Sequence, residues 1–187
     1  MWNATDIHTR LAAIRAADPD FRRFGARRHR HQLGPVLTEA TVSRFETQHG
    51  ITLPTAYRSF LLDVGDGGAG PHYGLFPLSG YNMRDLERDE QSWAGYLATP
   101  FPHTQPWNPD HHPPDPDQPG PPAMMTENEY FDPRWTAGSL VIAEFGCGAF
   151  HRLVITGPAL GQVWFDDRAA DGGLTPEAEF HAWYDYE

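Results

Sequence analysis

The side chains with reactive potential fall in five places. Cys147 stands between Gly146 and Gly148, with His151 four residues on. A thiolate beside an imidazole is a minimal nucleophile–base pair, but the base needs a third group to orient it. None is evident near this pair, so Cys147 is expected as a small buried structural residue. Histidines cluster twice: His29 with His31, and His103, His111 and His112 with Asp115 and Asp117 nearby. A spacing of two would put His29 and His31 on one face of a strand. The second cluster lies among prolines, where ligands are hard to preorganise, so neither a metal nor any other cofactor is expected. Asp166-Asp167-Arg168 ends an apolar run. Adjacent strand residues face opposite sides, which argues against a cooperating acid–base pair and for turn capping or an ion pair with Arg168. The loop GDGGAG (65–70) lacks a following Lys-Ser/Thr and follows a helix, so it is rejected as a phosphate cradle. The stretch RRFGARRHRH (22–31) could grip phosphate, but pairing with the acids of its own chain is the stronger expectation. No convergent catalytic set emerges, and the chain is not expected to be an enzyme. A small His-dependent metallo-hydrolase is the least favoured alternative.

The elements that must position these groups follow from periodicity. Residues 3–17 read as a helix, with Ile7, Leu11 and Ile14 on one face and Asn3 or Thr5 as cap. Phe21 and Phe24 are expected on the core. A second helix is predicted from Thr38 to about His49, with Val42 and Phe45 inward and Gly50 ending it. The third begins at Pro54, and Tyr57, Phe60, Leu61 and Val64 follow at i, i+3, i+4, i+7 before Gly65. Tyr73 to Leu78 reads as a strand, and a polar helix over about 82–97 would bury Leu86, Trp93 and Leu97. Residues 100–122 hold ten prolines and read as an extended, solvated insertion. SLVIAEF (139–145), FHRLVIT (150–156) and QVWFD (162–166) predict three antiparallel strands, the first two joined across Gly146-Cys147-Gly148-Ala149. Thr175-Pro176-Glu177 is read as opening a final helix carrying Phe180, Trp183 and Tyr184. Helices first, then a meander, then a helix: this is an α+β arrangement within one domain over 1–187.

Composition narrows the classes. The 187 residues carry 14 basic and 25 acidic side chains, a net of −11, and every basic residue is arginine. Residues 1–34 hold seven arginines and three acids, a net of +4, which leaves −15 on the remainder. An acidic body disfavours sequence-independent nucleic-acid binding and suits a basic protein partner. The lone cysteine excludes an internal disulfide and a thiolate zinc site, and agrees with a reducing compartment. No apolar run reaches membrane-spanning length and the N-terminus lacks a secretion pattern, so a cytoplasmic location is expected.

The run LTEATVSRFETQHGITLPTAYRSFLLDVGDGGAG (37–70) resembles the signature of the SUKH superfamily, which includes the yeast Knr/Smi cell-wall regulators and many bacterial immunity proteins. The residues that carry the likeness are Glu46, Gly50-Ile51, Leu53-Pro54, Tyr57, Phe60-Leu61 and the Gly-rich loop. The β-rich tail with Val163-Trp164, Phe180 and Trp183 agrees. The resemblance implies helices packed around a mostly antiparallel sheet, with the proline-rich loop as an insertion. It implies a protein-binding module, foremost an immunity protein that occludes a cognate nuclease or deaminase toxin. The alternative is a non-catalytic scaffold of Knr/Smi type, for which the proline-rich loop would itself be a ligand. Under the immunity reading, Asp63, Asp66, Tyr73, Asp166 and Asp167 are the expected contacts to a basic toxin.

Overall fold

In the computed structural model the described residues are 2–79, 94–112 and 124–185. The chain opens with α1 (Ala4–Ala17), where the Asn3 side chain accepts the Asp6 amide at 3.1 Å and so satisfies one orphan N–H. A short α2 (Ala26–His29) follows. Helix α3 (Glu39–His49) is capped by Thr38, whose hydroxyl accepts the Thr41 amide at 3.2 Å, and it ends at left-handed Gly50. Helix α4 (Thr55–Asp63) has Pro54 as its N-cap and buries Tyr57, Phe60 and Leu61. Glu46 braces the pair, accepting the Leu53 amide at 2.9 Å and the Arg58 Nε at 3.2 Å. The acid expected from the family signature thus joins two helices.

Four antiparallel strands follow as a meander in the order β1-β2-β3-β4: β1 (Ser139–Gly146), β2 (Ala149–Val154), β3 (Gln162–Asp166) and β4 (Leu174–Glu179). Gly146 pairs with Ala149 across Cys147 and Gly148, which have φ of 54° and 84°. A two-residue turn with both central residues left-handed matches the twist of the flanking strands. Between α4 and β1, the described residues also form α5 (Glu127–Tyr130) and a 3₁₀ turn at Pro133–Trp135. After β3 comes a 3₁₀ turn at Arg168–Ala170, and α6 (Phe180–Tyr184) follows β4. No described helix is long and apolar enough to cross a membrane.

Alternation along the strands gives the sheet two apolar faces. On one, Leu140, Ile142, Leu153 and Val163 pack with Val42, Tyr57, Phe60, Leu61 and Phe180 in the main core. On the other, Val154 and Trp164 pack with Phe101 and Leu174, joined by Trp107 and Trp135. Burying Phe101 and Trp164 completely stabilises the fold by about 2–3 kcal/mol each. Both sheet edges are covered. Leu75 bridges to Ala143 beside β1, and Trp107 exchanges two backbone bonds with Leu174 on β4, at 2.8 and 2.9 Å.

Several expectations are corrected. Residues 175–177, read as the start of the last helix, belong to β4, and the helix is confined to Phe180–Tyr184. Pro176 suits a helix start and an edge strand equally, and the residue before it favours extended backbone. Tyr73 to Leu78 is not a continuous strand: left-handed His72 and Gly74 leave only the isolated bridges of Leu75. The described part of the proline-rich stretch is a packed cover, since Phe101, His103 and His111 are buried. Its aromatics provide apolar area, and extended backbone is what pairing along β4 requires. Phe24 is 61% exposed and Cys147 is exposed at the hairpin tip. The helix expected over 82–97 falls mostly outside the described residues, although Leu97 is buried in a turn at 94–98.

Candidate protein-binding surface

The arginine-rich lead meets the Gly-rich loop and the tip of the β1–β2 hairpin, and the contact is set by Gly25. Its φ is +70°, and a Cβ there would lie 1.7 Å from the carbonyl oxygen of His72. Only glycine allows so close a backbone approach. The neighbouring Phe24 is thereby directed outward, with its ring 4.9 Å from Tyr73 and 6.4 Å from Phe145. Phe145 is itself 41% exposed and leans on Phe165 at 5.3 Å. Arg28 pairs with Glu144 and lies over the rings of Tyr73 and Phe76. Arg23, Arg27 and Phe21 line the same groove. Among the described residues Arg23, Arg27 and Arg30 make no ion pair. Of the cations at positions 22–30, Arg28 reaches an acid elsewhere in the chain and Arg22 only its neighbour Asp20. The expected internal neutralisation of this stretch is therefore partial.

The residues expected to contact a partner separate into two groups. Tyr73 is half-buried within the patch, Asp63 is exposed and Asp167 is half-exposed. Asp66 and Asp166 are buried. Asp66 accepts the Leu78 amide at 2.6 Å and the Ser79 amide at 3.1 Å, so it holds the Gly-rich loop closed. Asp166 accepts Arg152 Nε at 2.6 Å, Arg168 Nε at 2.8 Å and Arg168 Nη2 at 2.9 Å. Burial pushes its carboxyl up, yet the two guanidiniums outweigh burial and hold it well below the usual carboxylate range. The ion pair expected between Asp166 and Arg168 is present, with Arg152 as a third member. An arginine inside the apolar run FHRLVIT was the available signal for it.

The remaining reactive groups are engaged in local contacts. His151 is buried, stacked on His72 at 4.8 Å and 3.4 Å from Glu177, and no hydrogen bond links it to Cys147 among the described residues. His29 and His31 do come together, with rings 5.3 Å apart, but at a helix end rather than along a strand. His31 Nε2 meets Asp18 at 3.0 Å, and the His31 amide donates to His29 Nδ1 at 3.1 Å. Burial and the neighbouring His31 push His29 down. His103 contacts the Trp135 carbonyl oxygen at 2.9 Å, and burial pushes it down. His111 and His112 both approach Asp171, at 3.2 and 3.6 Å. Asp115 and Asp117 lie outside the described residues.

These features define an α+β protein: helices on an antiparallel meander, the second face closed by an aromatic insertion, and an open aromatic–arginine edge. Residues 36–179 match the SMI1 / KNR4 family (SUKH-1), and the chain belongs to that family. No curated protein and no solved structure matches the chain significantly. The matched span begins after α2, so Phe24 and the arginines around it precede it, whereas Tyr73, Glu144 and Phe145 lie within it.

Proposed function

We propose that this chain is an immunity-type binding module that occludes a cognate toxin domain, with Phe24, Tyr73 and Phe145 as its anchors. The observation that carries the reading is the exposure of Phe24 and Phe145 around half-buried Tyr73, beside Arg23 and Arg27, which make no ion pair among the described residues. Aromatic residues and arginine dominate interface hot spots, because they bury large area at low entropic cost and bring donors with them. The net charge of −11 acts at longer range and favours encounter with a toxin of positive overall charge. At the patch itself, Arg23 and Arg27 would meet carboxylates of that toxin, with Asp63 and Asp167 contributing to the outer field. The module would act in the cytoplasm, where a nuclease or deaminase finds its substrate. Coexpression with the toxin domains encoded beside it tests the reading. A stable complex by size-exclusion chromatography together with rescued growth is expected. Absence of both for every adjacent toxin overturns it.

A further inference from the structure

We propose that His111, His112 and Asp171 form a divalent transition-metal site, of zinc type, that clamps the proline-rich cover to the β3–β4 connection. One donor atom from each residue lies within 4.8 Å of the others. His111 is buried and its ring lies flat on Tyr130, with centroids 3.6 Å apart at 8°, so its plane is fixed. Its Nδ1 is 3.2 Å from the carbonyl oxygen of Pro109, an atom that can only accept, so that contact uses Nδ1 and turns Nε2 toward Asp171 Oδ1, at 3.2 Å. The ring of His112 points Nε2 at the other oxygen of the same carboxylate, at 3.6 Å. Two imidazole nitrogens and a carboxylate thus converge on a space that one ion can bridge.

The dimensions agree with tetrahedral coordination. Bonds of about 2.0–2.2 Å place neighbouring ligand atoms roughly 3.3–3.5 Å apart. The two histidine–aspartate separations, each to its own oxygen of the carboxylate, lie near that value, and rotation of exposed His112 brings its nitrogen within reach of an ion on Asp171 Oδ1. Two imidazoles and one carboxylate select zinc, copper or nickel over magnesium or calcium. Around the ligands, Asn108 Nδ2 donates to the Asp171 carbonyl at 2.7 Å, and its Oδ1 accepts the Tyr130 hydroxyl at 2.7 Å. These contacts tie both sides of the site to one asparagine, the kind of outer support that orients metal ligands. Three protein ligands leave one position for water.

The test uses the full chain stripped with chelator and titrated with zinc chloride alone. One-to-one binding at micromolar concentration or tighter is expected, with a rise in Tm and, for cobalt in place of zinc, the visible absorption of a tetrahedral ion. Asp171→Asn tolerates the left-handed backbone and keeps the carbonyl bond to Asn108, and His112→Gln alters an exposed side chain, so both variants should fold. Each is expected to weaken zinc binding at least about 30-fold. No saturable one-to-one binding overturns the proposal, as does binding that persists unchanged in both variants and so belongs to other histidines.

Discussion

Two clusters of nearly the same composition lie on the sheet, one against its second face and one at its hairpin edge. Behind it, Trp164, Trp107 and Tyr130 accompany Arg152, Arg168 and Asp166. At its hairpin edge, Phe24, Tyr73 and Phe145 accompany Arg28 and Glu144. The first is closed: Asp166 accepts from both arginines, and the chain from Phe101 to Trp107 lies across it. The second is open, with Phe24 and Phe145 accessible and no described segment laid over them. Rings, guanidiniums and a carboxylate make either a core or a recognition surface. Among the described residues the difference lies in the segment from Phe101 to Trp107, which crosses one cluster and has no counterpart over the other.

The closed cluster should be the more sensitive to loss of charge. Asp166→Ala leaves Arg152 and Arg168 buried without their carboxylate, and removing one partner of a buried pair costs about 3–5 kcal/mol. Denaturant unfolding should show that loss as a lowered midpoint. A loss under about 1 kcal/mol would mean that the guanidiniums reach water, and the contrast between the two clusters would fail.

The open cluster should behave in the opposite way. Phe24→Ala removes a ring that is 61% exposed, so stability should change by no more than about 0.5 kcal/mol, whereas Phe145→Ala, whose ring is 41% exposed and leans on Phe165, should cost about 1 kcal/mol. Under the proposed immunity function, affinity for the toxin domain should fall about 10- to 100-fold, which corresponds to about 1.4–2.8 kcal/mol, the range of interface hot spots. Titration calorimetry measures the second quantity and thermal unfolding the first. Strong destabilisation with unchanged affinity would reclassify the patch as core.

What the sequence made legible was local. Pro54 and the spacing of Tyr57, Phe60 and Leu61 mark α4, and Gly146-Cys147-Gly148 marks the hairpin, because each signal lies within a few residues of the structure it directs. Partners distant in sequence were not legible. Asp166 takes its buried state from Arg152, fourteen positions away, and Asp66 from amides twelve and thirteen positions on. His111 and His112 meet Asp171, sixty residues beyond His111, rather than the nearby Asp115 and Asp117 that drew attention in the sequence. Phe24 looked like core because its neighbourhood is apolar in part, and only the backbone contact at Gly25 turns it outward. Tyr73 is named from the sequence because the Gly-rich loop that carries it is itself a local signal, and the structure places its ring 4.9 Å from Phe24.

The smallest effect separates the two regions by acid. Asp18 braces the lead segment from within, around the loop that carries Phe24: its carboxylate meets His31 at 3.0 Å and accepts the Arg22 and Arg23 amides at 2.8 and 3.2 Å. The bond to His31, helped by these amides, holds its carboxyl below the ordinary value, as the two arginines do for Asp166. A carboxyl depressed in the folded state contributes stability that is full above its unfolded value of about 3.9 and is lost as pH falls through its folded value. Wild-type protein should therefore lose stability progressively below about pH 4. Asp18→Asn should flatten only part of that slope, because the more strongly depressed Asp166 still titrates in the variant. Denaturant midpoints measured between pH 6 and pH 3 decide the point. An unchanged slope in Asp18→Asn would show that this carboxylate does not brace the loop from Asp18 to His31, and the open cluster would then lack this support for the turn that presents Phe24.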